Sequence, residues 1–262
     1  MTDWLLNLPV TWMALVVFAA TYLVAASIYL VVTGLAVNYR ARAFKALSPG
    51  MLPPLGIIFG LLVGFMAVQV WGDSERAKVA VATEASALRG VVLLAGSFPG
   101  EQEAHLRALI NRHIEEAVNQ EWPMMAHQHA TLTRHSENLT EALKSALALT
   151  PVDEGQKIAQ REIVTALENA LDARRQRIII SQSTVSSIKW LALSLQALCA
   201  LIAISMVHSD NRLTCGIALT IFATGIALSL LLIAAYSRPF NSVGQELLKQ
   251  VIASEATVGT GR

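Results

Sequence analysis

The stretch LPPLGIIFGLLVGFMAVQVW, residues 52–71, is apolar except at Gln69 and contains no Asp, Glu, Lys or Arg. A helix needs ~20 such residues to cross the hydrocarbon core of a bilayer. Three other runs of comparable length and hydropathy lie at residues 10–37, 188–207 and 213–236. The sequence therefore predicts four transmembrane helices, arranged as two hairpins on either side of a polar middle segment.

The predicted fold class is all-α, an integral membrane protein whose helical-bundle extramembrane domain is continuous with the second and third spans. The predicted parts of the chain are a first transmembrane hairpin (residues 1–71), the extramembrane domain (72–187), a second transmembrane hairpin (188–236), and a short C-terminal helix with a tail (237–262).

Local patterns predict the helices of the middle domain. Apolar residues recur at helical spacing in residues 101–122, and Pro123 is expected to end or kink that helix. A further helix is predicted over 137–149. No proline occurs between residue 152 and residue 207, so one helix of about fifty residues, ~75 Å long, is expected to lead into the third span.

Composition places the chain in a membrane. Hydrophobic residues make up 54% of it and charged residues 15%, against ~25% charged in an ordinary soluble domain. The net charge is +1, which provides no field for gathering nucleic acid. We therefore expect a multi-pass protein of the plasma (inner) membrane, with the lipid bilayer as its main partner and no nucleic-acid role.

The orientation of the middle domain has two opposing indications. The first span has no basic residue before it, whereas Arg40, Arg42 and Lys45 follow it; by the positive-inside rule this places the short loop in the cytoplasm and the domain outside. Other basic residues near the membrane ends on the domain side favour the opposite orientation: Arg76, Lys78, Arg174, Arg175, Arg177 and Lys189.

The second span carries two patterns of interest. Glycines recur every fourth residue and form what we call the glycine stripe: Gly56, Gly60 and Gly64. Such a stripe favours close helix packing. On an adjacent face lie three candidate pore-lining residues, which we call the pore-face residues: Ile57, Leu61 and Phe65. Copies of these side chains around a symmetry axis would form apolar rings that gate by dewetting, although any apolar helix offers such a triple.

The sequence offers no catalytic constellation, so we expect no enzymatic activity, no cofactor and no metal site. His127, His129 and His135 are metal-ligand types, but their spacing matches no closed ligand set and favours a solvated loop. His105 and His113 share a helix face and suit either the surface or interhelical packing. Charged residues at helical spacing, such as Glu84 with Arg89 and Glu103 with Arg107, are interpreted as exposed helix-stabilising pairs.

Four short motifs occur in order along the chain. They are Glu84-Ala85 after the Val-x-Trp end of the second span, Glu121-Trp122-Pro123, Asp172-Ala173-Arg174-Arg175 leading to Ser187-Ile188-Lys189-Trp190, and Arg238-Pro239-Phe240. In this order and spacing the chain, over about residues 24–254, resembles the bestrophin-like family of four-span membrane proteins. Two positions depart from the family pattern: Ser186 stands where a proline is usual, and Arg238 where an acid commonly precedes Pro-Phe.

The more distant resemblance to true bestrophins, which are oligomeric anion channels, implies symmetric assembly, a pore lined by the second span and a cytoplasmic middle domain. We therefore expect a homo-oligomeric, channel-like assembly that permits ion flux. The alternative is a non-conducting membrane scaffold or sensor whose helical domain binds a partner. Trp122 is expected to pack between the helices of the middle domain.

Overall fold

The computed structural model of the protein describes residues 3–6, 8–35, 49–98, 100–132, 136–183, 185–242 and 244–251. These residues form α-helices with no strand among them. The helices are α1 (Asp3–Leu6), α2 (Val10–Leu35), α3 (Leu52–Ala95), α4 (Glu101–Glu116), α5 (Trp122–Ala126), α6 (Glu137–Leu147), α7 (Glu154–Ser181), α8 (Ser187–Val207), α9 (Arg212–Tyr236) and α10 (Pro239–Ser242). Residues 246–251 are also helical.

Four of the described helices are long and apolar enough to cross a membrane: α2, α3, α8 and α9. This confirms the all-α, four-span prediction. In α3 the apolar run of residues 52–71 forms the first half of one unbroken helix that ends at Ala95, so the prediction that the second span continues beyond the membrane as a rod is confirmed. The predicted loop residues Arg40, Arg42 and Lys45 lie outside the described residues.

The chain divides into two compact units. The first unit comprises Met1–Trp71 and Thr184–Ser237 and contains the four spans. Small and medium apolar side chains form its core, among them Ala25, Leu193 and Ala223. Small residues allow α2 and α9 to pack closely, since in lipid the contact between helices rests on van der Waals packing. The Tyr22 hydroxyl and Thr224 Oγ1, 2.8 Å apart, add a hydrogen bond between these two helices.

The second unit comprises Gly72–Ser183 and Arg238–Arg262. It is a helical bundle whose core contains fully buried side chains from α3, α4, α6 and α7: Leu88, Ile110, Leu139, Ile163 and Leu167. The C-terminal segment, expected to be a surface helix and tail, contributes buried residues to this core instead. Leu248 and Val251 are fully buried, so this segment is part of the bundle.

Side-chain caps fix where two bundle helices begin. The Ser136 hydroxyl accepts a hydrogen bond from Leu139 N at the start of α6, and Asp153 Oδ1 accepts from Gln156 N at the start of α7. Each cap satisfies a backbone N–H that has no partner within the first turn. The helix after Pro151 therefore starts at Glu154, directly after its N-cap Asp153.

The prediction of one helix leading unbroken into the third span is wrong. Helix α7 ends at Ser181 and α8 begins at Ser187, with Ser186 as its N-cap. Serine hydroxyls compete for backbone groups and disfavour a helix interior. Here the hydroxyls of Ser181 and Ser183 donate to the carbonyl oxygens of Ile178 and Ile180 at 2.7 Å. A serine-rich stretch thus ends the helix although it contains no proline.

Pro123 has a milder effect than expected. The chain stays helical through it, passing from α4 into a π-helical turn, Ala117–Glu121, and then into α5. Because Pro123 occupies the first turn of α5, its missing N–H removes no bond that α5 itself would make. A wide π turn accommodates the change in helical pitch, and such turns frequently mark functional sites. The predicted corner is therefore a π turn between two helices.

Candidate functional site

Four of the buried charged side chains of the second unit pair with one another, and we call them the ion cluster: Glu84, Glu121, Arg174 and Arg177. Each occupies a position on the inward face of its element. Glu84 follows Ala77 and Val81 and precedes Leu88 on the buried face of α3, while Arg177 follows Leu167 and Ala170 on that of α7. Helical spacing therefore carries the charges into the core along with their apolar neighbours.

Arg177 bridges the two carboxylates of the ion cluster. Its Nη2 donates to Glu121 Oε2 at 2.8 Å and to Glu84 Oε1 at 3.2 Å, and its Nε lies 2.9 Å from Glu84 Oε2. Arg174 Nε donates to Glu121 Oε1 at 2.8 Å. Two carboxylates thus balance two guanidinium groups, which is the condition under which buried charges are tolerated.

Glu84 is fully buried, and burial by itself would raise its pKa because desolvation penalises the carboxylate. The charge of Arg177 opposes this most strongly, followed by the hydrogen bond from His113 and the charges of His113 and Arg174. These opposing contributions together hold the pKa of Glu84 below its ordinary value. Glu84 is therefore an ionised acceptor in the folded protein.

His113 extends the ion cluster to the start of α6. Its Nε2 lies 2.9 Å from Glu84 Oε1 and its Nδ1 lies 3.1 Å from Ser136 Oγ. Since the Glu84 carboxylate can only accept, Nε2 must carry the hydrogen of this bond. The Ser136 oxygen that faces Nδ1 also accepts from Leu139 N at the N-cap of α6. One chain of hydrogen bonds thus connects α3, α4 and α6.

Aromatic rings cover the ion cluster on the side of the C-terminal segment. Trp122 is buried, and the guanidinium carbon of Arg177 lies 5.7 Å from its ring centroid, within cation–π range. The Phe240 ring meets Trp122 edge-on, with ring centroids 5.5 Å apart. These contacts agree with the expected packing of Trp122 between helices. Of the neighbouring motif residues, Pro123 is exposed and Arg238 is buried.

The structure thus brings together motif residues that are far apart in the sequence: Glu84, Glu121, Trp122, Arg174 and Phe240. The expectation that Glu84 forms an exposed pair with Arg89 is wrong, because Glu84 is fully buried and bound to Arg177 and His113. The expected pair of Glu103 and Arg107 forms at 2.9 Å, although both side chains are partly buried and not exposed as predicted.

His113 and Arg177 were not identified from the sequence as members of a site. The available signal was their position, since His113 lies on the apolar stripe of α4 and Arg177 lies on that of α7. His105, eight residues before His113, is exposed. Arg174 and Arg177, two of the basic residues that favour a cytoplasmic domain, are buried and paired.

The second span presents a different feature in the first unit. Phe59 and Met66 are buried on one face of α3, whereas the pore-face residues lie on another and are 69% (Ile57), 55% (Leu61) and 65% (Phe65) exposed. Apart from the neighbouring backbone of α3 itself, no described atom lies within 4 Å of a Cβ placed on any glycine of the glycine stripe. Among the described residues, therefore, nothing packs against the stripe, and the predicted helix-packing role of the glycines has no partner within one chain.

The ion cluster joins helices through desolvated charge, and its charged groups are buried inside the bundle. His127 and His129 are exposed after α5, and His135 lies outside the described residues. The ion cluster is thus a structural feature that holds helices of the second unit together in a four-span, all-α membrane protein.

A family model described as the Bestrophin-like domain matches residues 14–244, most of the chain. The protein belongs to the bestrophin-like family. No curated protein and no solved structure matches the chain.

Replacing Arg177 with Ala tests the importance of the ion cluster. The change leaves Glu84 buried without its main counter-charge, so we expect a loss of about 3–5 kcal/mol in the free energy of unfolding. Arg175→Ala, at an exposed position on the same helix, serves as the matched control and should change stability little. Equal thermal unfolding midpoints for the two variants in the same detergent would show that the ion cluster does not stabilise the bundle.

The lowered pKa of Glu84 predicts how stability depends on pH. A carboxyl group with a lower pKa in the folded state contributes stability that is complete above its unfolded pKa, about 4.3 for Glu, and is lost as pH falls through the folded value. The unfolding midpoint should therefore decrease as pH is lowered below about 5. Glu84→Gln should start from a lower midpoint and show a shallower decrease, whereas Glu162→Gln, at an exposed site on α7, should keep the wild-type slope.

Proposed function

We propose that the protein assembles as a homo-oligomer in which the second spans surround a path for ions, and that it resides in the plasma (inner) membrane. The observation that carries this proposal is the unpacked surface of the second span, where exposed apolar side chains lie beside the bare backbone of the glycine stripe. Ile57, Leu61 and Phe65 are more than half exposed in the single chain. Because they recur every four residues, equivalent copies around an axis would form three stacked apolar rings.

The glycine stripe supports the assembly part of the proposal. Gly60 and Gly64 are exposed and have no neighbour within 4 Å of a Cβ position. A bare backbone surface lets a second helix approach closely, which is a common basis of helix association in lipid. A helix of another copy would occupy this surface at van der Waals distance, and membership of the bestrophin-like family favours such an assembly.

The absence of charge in residues 52–71 favours passive flux over active transport. Ion-coupled transporters and proton relays use ionisable residues within the membrane, and this span contains none. A path lined by apolar rings conducts when it is wide enough to stay wet and closes when it dries. In this proposal, the size of the side chains in the second span determines whether the path is open. We propose no enzymatic activity for the chain.

The alternative, a non-conducting scaffold or sensor, draws support from a groove on the second unit. Small residues of α3, among them Ala82, Ser86 and Gly90, line it opposite Ala166 of α7, and such a floor suits one helix of a partner protein. This alternative expects an assembly without a continuous axial path and a partner cross-linked to the domain.

A flux assay with purified protein in liposomes tests the channel proposal. We expect ion flux above that of empty liposomes, and a several-fold increase in Phe65→Ala because the smaller side chain widens the apolar constriction. Leu195→Ala, at an exposed position of the third span, is the control and should leave the flux unchanged.

Absence of flux in both wild type and Phe65→Ala would overturn the channel proposal. So would a protein that is strictly monomeric in detergent and in native membranes, since a single second span cannot enclose a path.

A further inference from the structure

A groove of about 370 Å³ lies on the surface of the first unit, between the end of α2 and the start of α9. Its walls are apolar, formed by Leu213, Ile217 and Ile221. Tyr29, Thr220 and Arg212, which carry polar groups, also line it, and Arg212 lies at the end where α9 begins. The arrangement is that of an apolar trough with a positive charge at its mouth.

Gly216 sets the shape of the groove. A Cβ at this position would lie 3.8 Å from Cε2 of Tyr29, an ordinary contact distance, so the Tyr29 ring already stands over the bare backbone of α9. Any larger side chain here would fill the space beneath the ring. The trough therefore depends on the absence of a side chain at Gly216, and it extends along α9 from Arg212 to Ile221, ~13 Å at 1.5 Å per residue.

Arg212 supplies the charge at the first turn of α9. It is exposed, and no acidic residue in the described part of the chain forms an ion pair with it. The helix that it begins is one of the four membrane spans, which places the guanidinium at the level of lipid headgroups and the apolar walls at the level of acyl chains.

From this geometry we infer that the groove is a binding site for one anionic phospholipid. The Arg212 guanidinium binds the headgroup phosphate, for which its planar donors are well suited. One acyl chain lies in the trough along Gly216, Ile217 and Ile221, beneath the Tyr29 ring. The occupant is a lipid because the walls belong to a membrane span, where acyl chains are the surrounding solvent, and because the charge at the mouth complements an anionic headgroup.

The site is tested by thermal unfolding of the detergent-solubilised, full-length protein titrated with dioleoyl phosphatidylglycerol or with dioleoyl phosphatidylcholine. We expect about a fivefold lower half-saturating concentration for phosphatidylglycerol, the effect of one basic residue near an anionic headgroup. Arg212→Gln should abolish this preference, and Gly216→Phe should abolish the response to both lipids by filling the trough.

Two controls match these variants. Lys189→Gln removes another exposed basic residue at the start of a span, and Gly225→Phe adds a ring at an exposed glycine of α9 with open space around it. Both should retain the wild-type preference. Equal responses of the wild type to the two lipids would overturn the inference, as would an undiminished preference in Arg212→Gln. A shift of the same size with glycerol 3-phosphate alone would also overturn it, because the acyl chain would then contribute nothing.

Discussion

The second unit depends on the bridge that Arg177 makes between Glu84 and Glu121. These residues come from α7, α3 and the π turn, and Arg174 and His113 tie the same carboxylates to further parts of the bundle. Unpaired, each of these buried charges would cost several kcal/mol. The bundle must therefore bring its helices into one arrangement in which every charge of the ion cluster is balanced. The rings of Trp122 and Phe240 cover this cluster.

The sequence predicted features that depend on local pattern and missed those that depend on distant partners. Four spans and the length of α3 follow from hydropathy and from the lack of a breaker. The break between α7 and α8 was missed because serine hydroxyls compete with the backbone more subtly than proline does. Glu84 and Arg177 are 93 residues apart, so helical spacing, which relates only residues of one helix, predicted the wrong partner for Glu84. Their positions on buried stripes were the available clue.

The two units of the chain handle polarity in opposite ways. The second unit buries charge and compensates it internally, whereas residues 52–71 contain no charge and leave Ile57, Leu61 and Phe65 uncovered. An uncovered apolar face costs nothing in lipid, so its exposure alone does not require a partner. Lipid chains pack poorly against the bare glycine backbone beside it, whereas a second helix packs well there. Assembly and any ion path are therefore expected to be determined by α3.

Arg177 and Glu121 are expected to act as one unit in holding the bundle together. A double-mutant cycle with Arg177→Met, Glu121→Gln and the combined variant measures this coupling directly from free energies of unfolding. We expect a favourable coupling energy of at least ~1.5 kcal/mol, as found for close, desolvated charge pairs. Additive effects of the two single changes, with a coupling energy near zero, would contradict it.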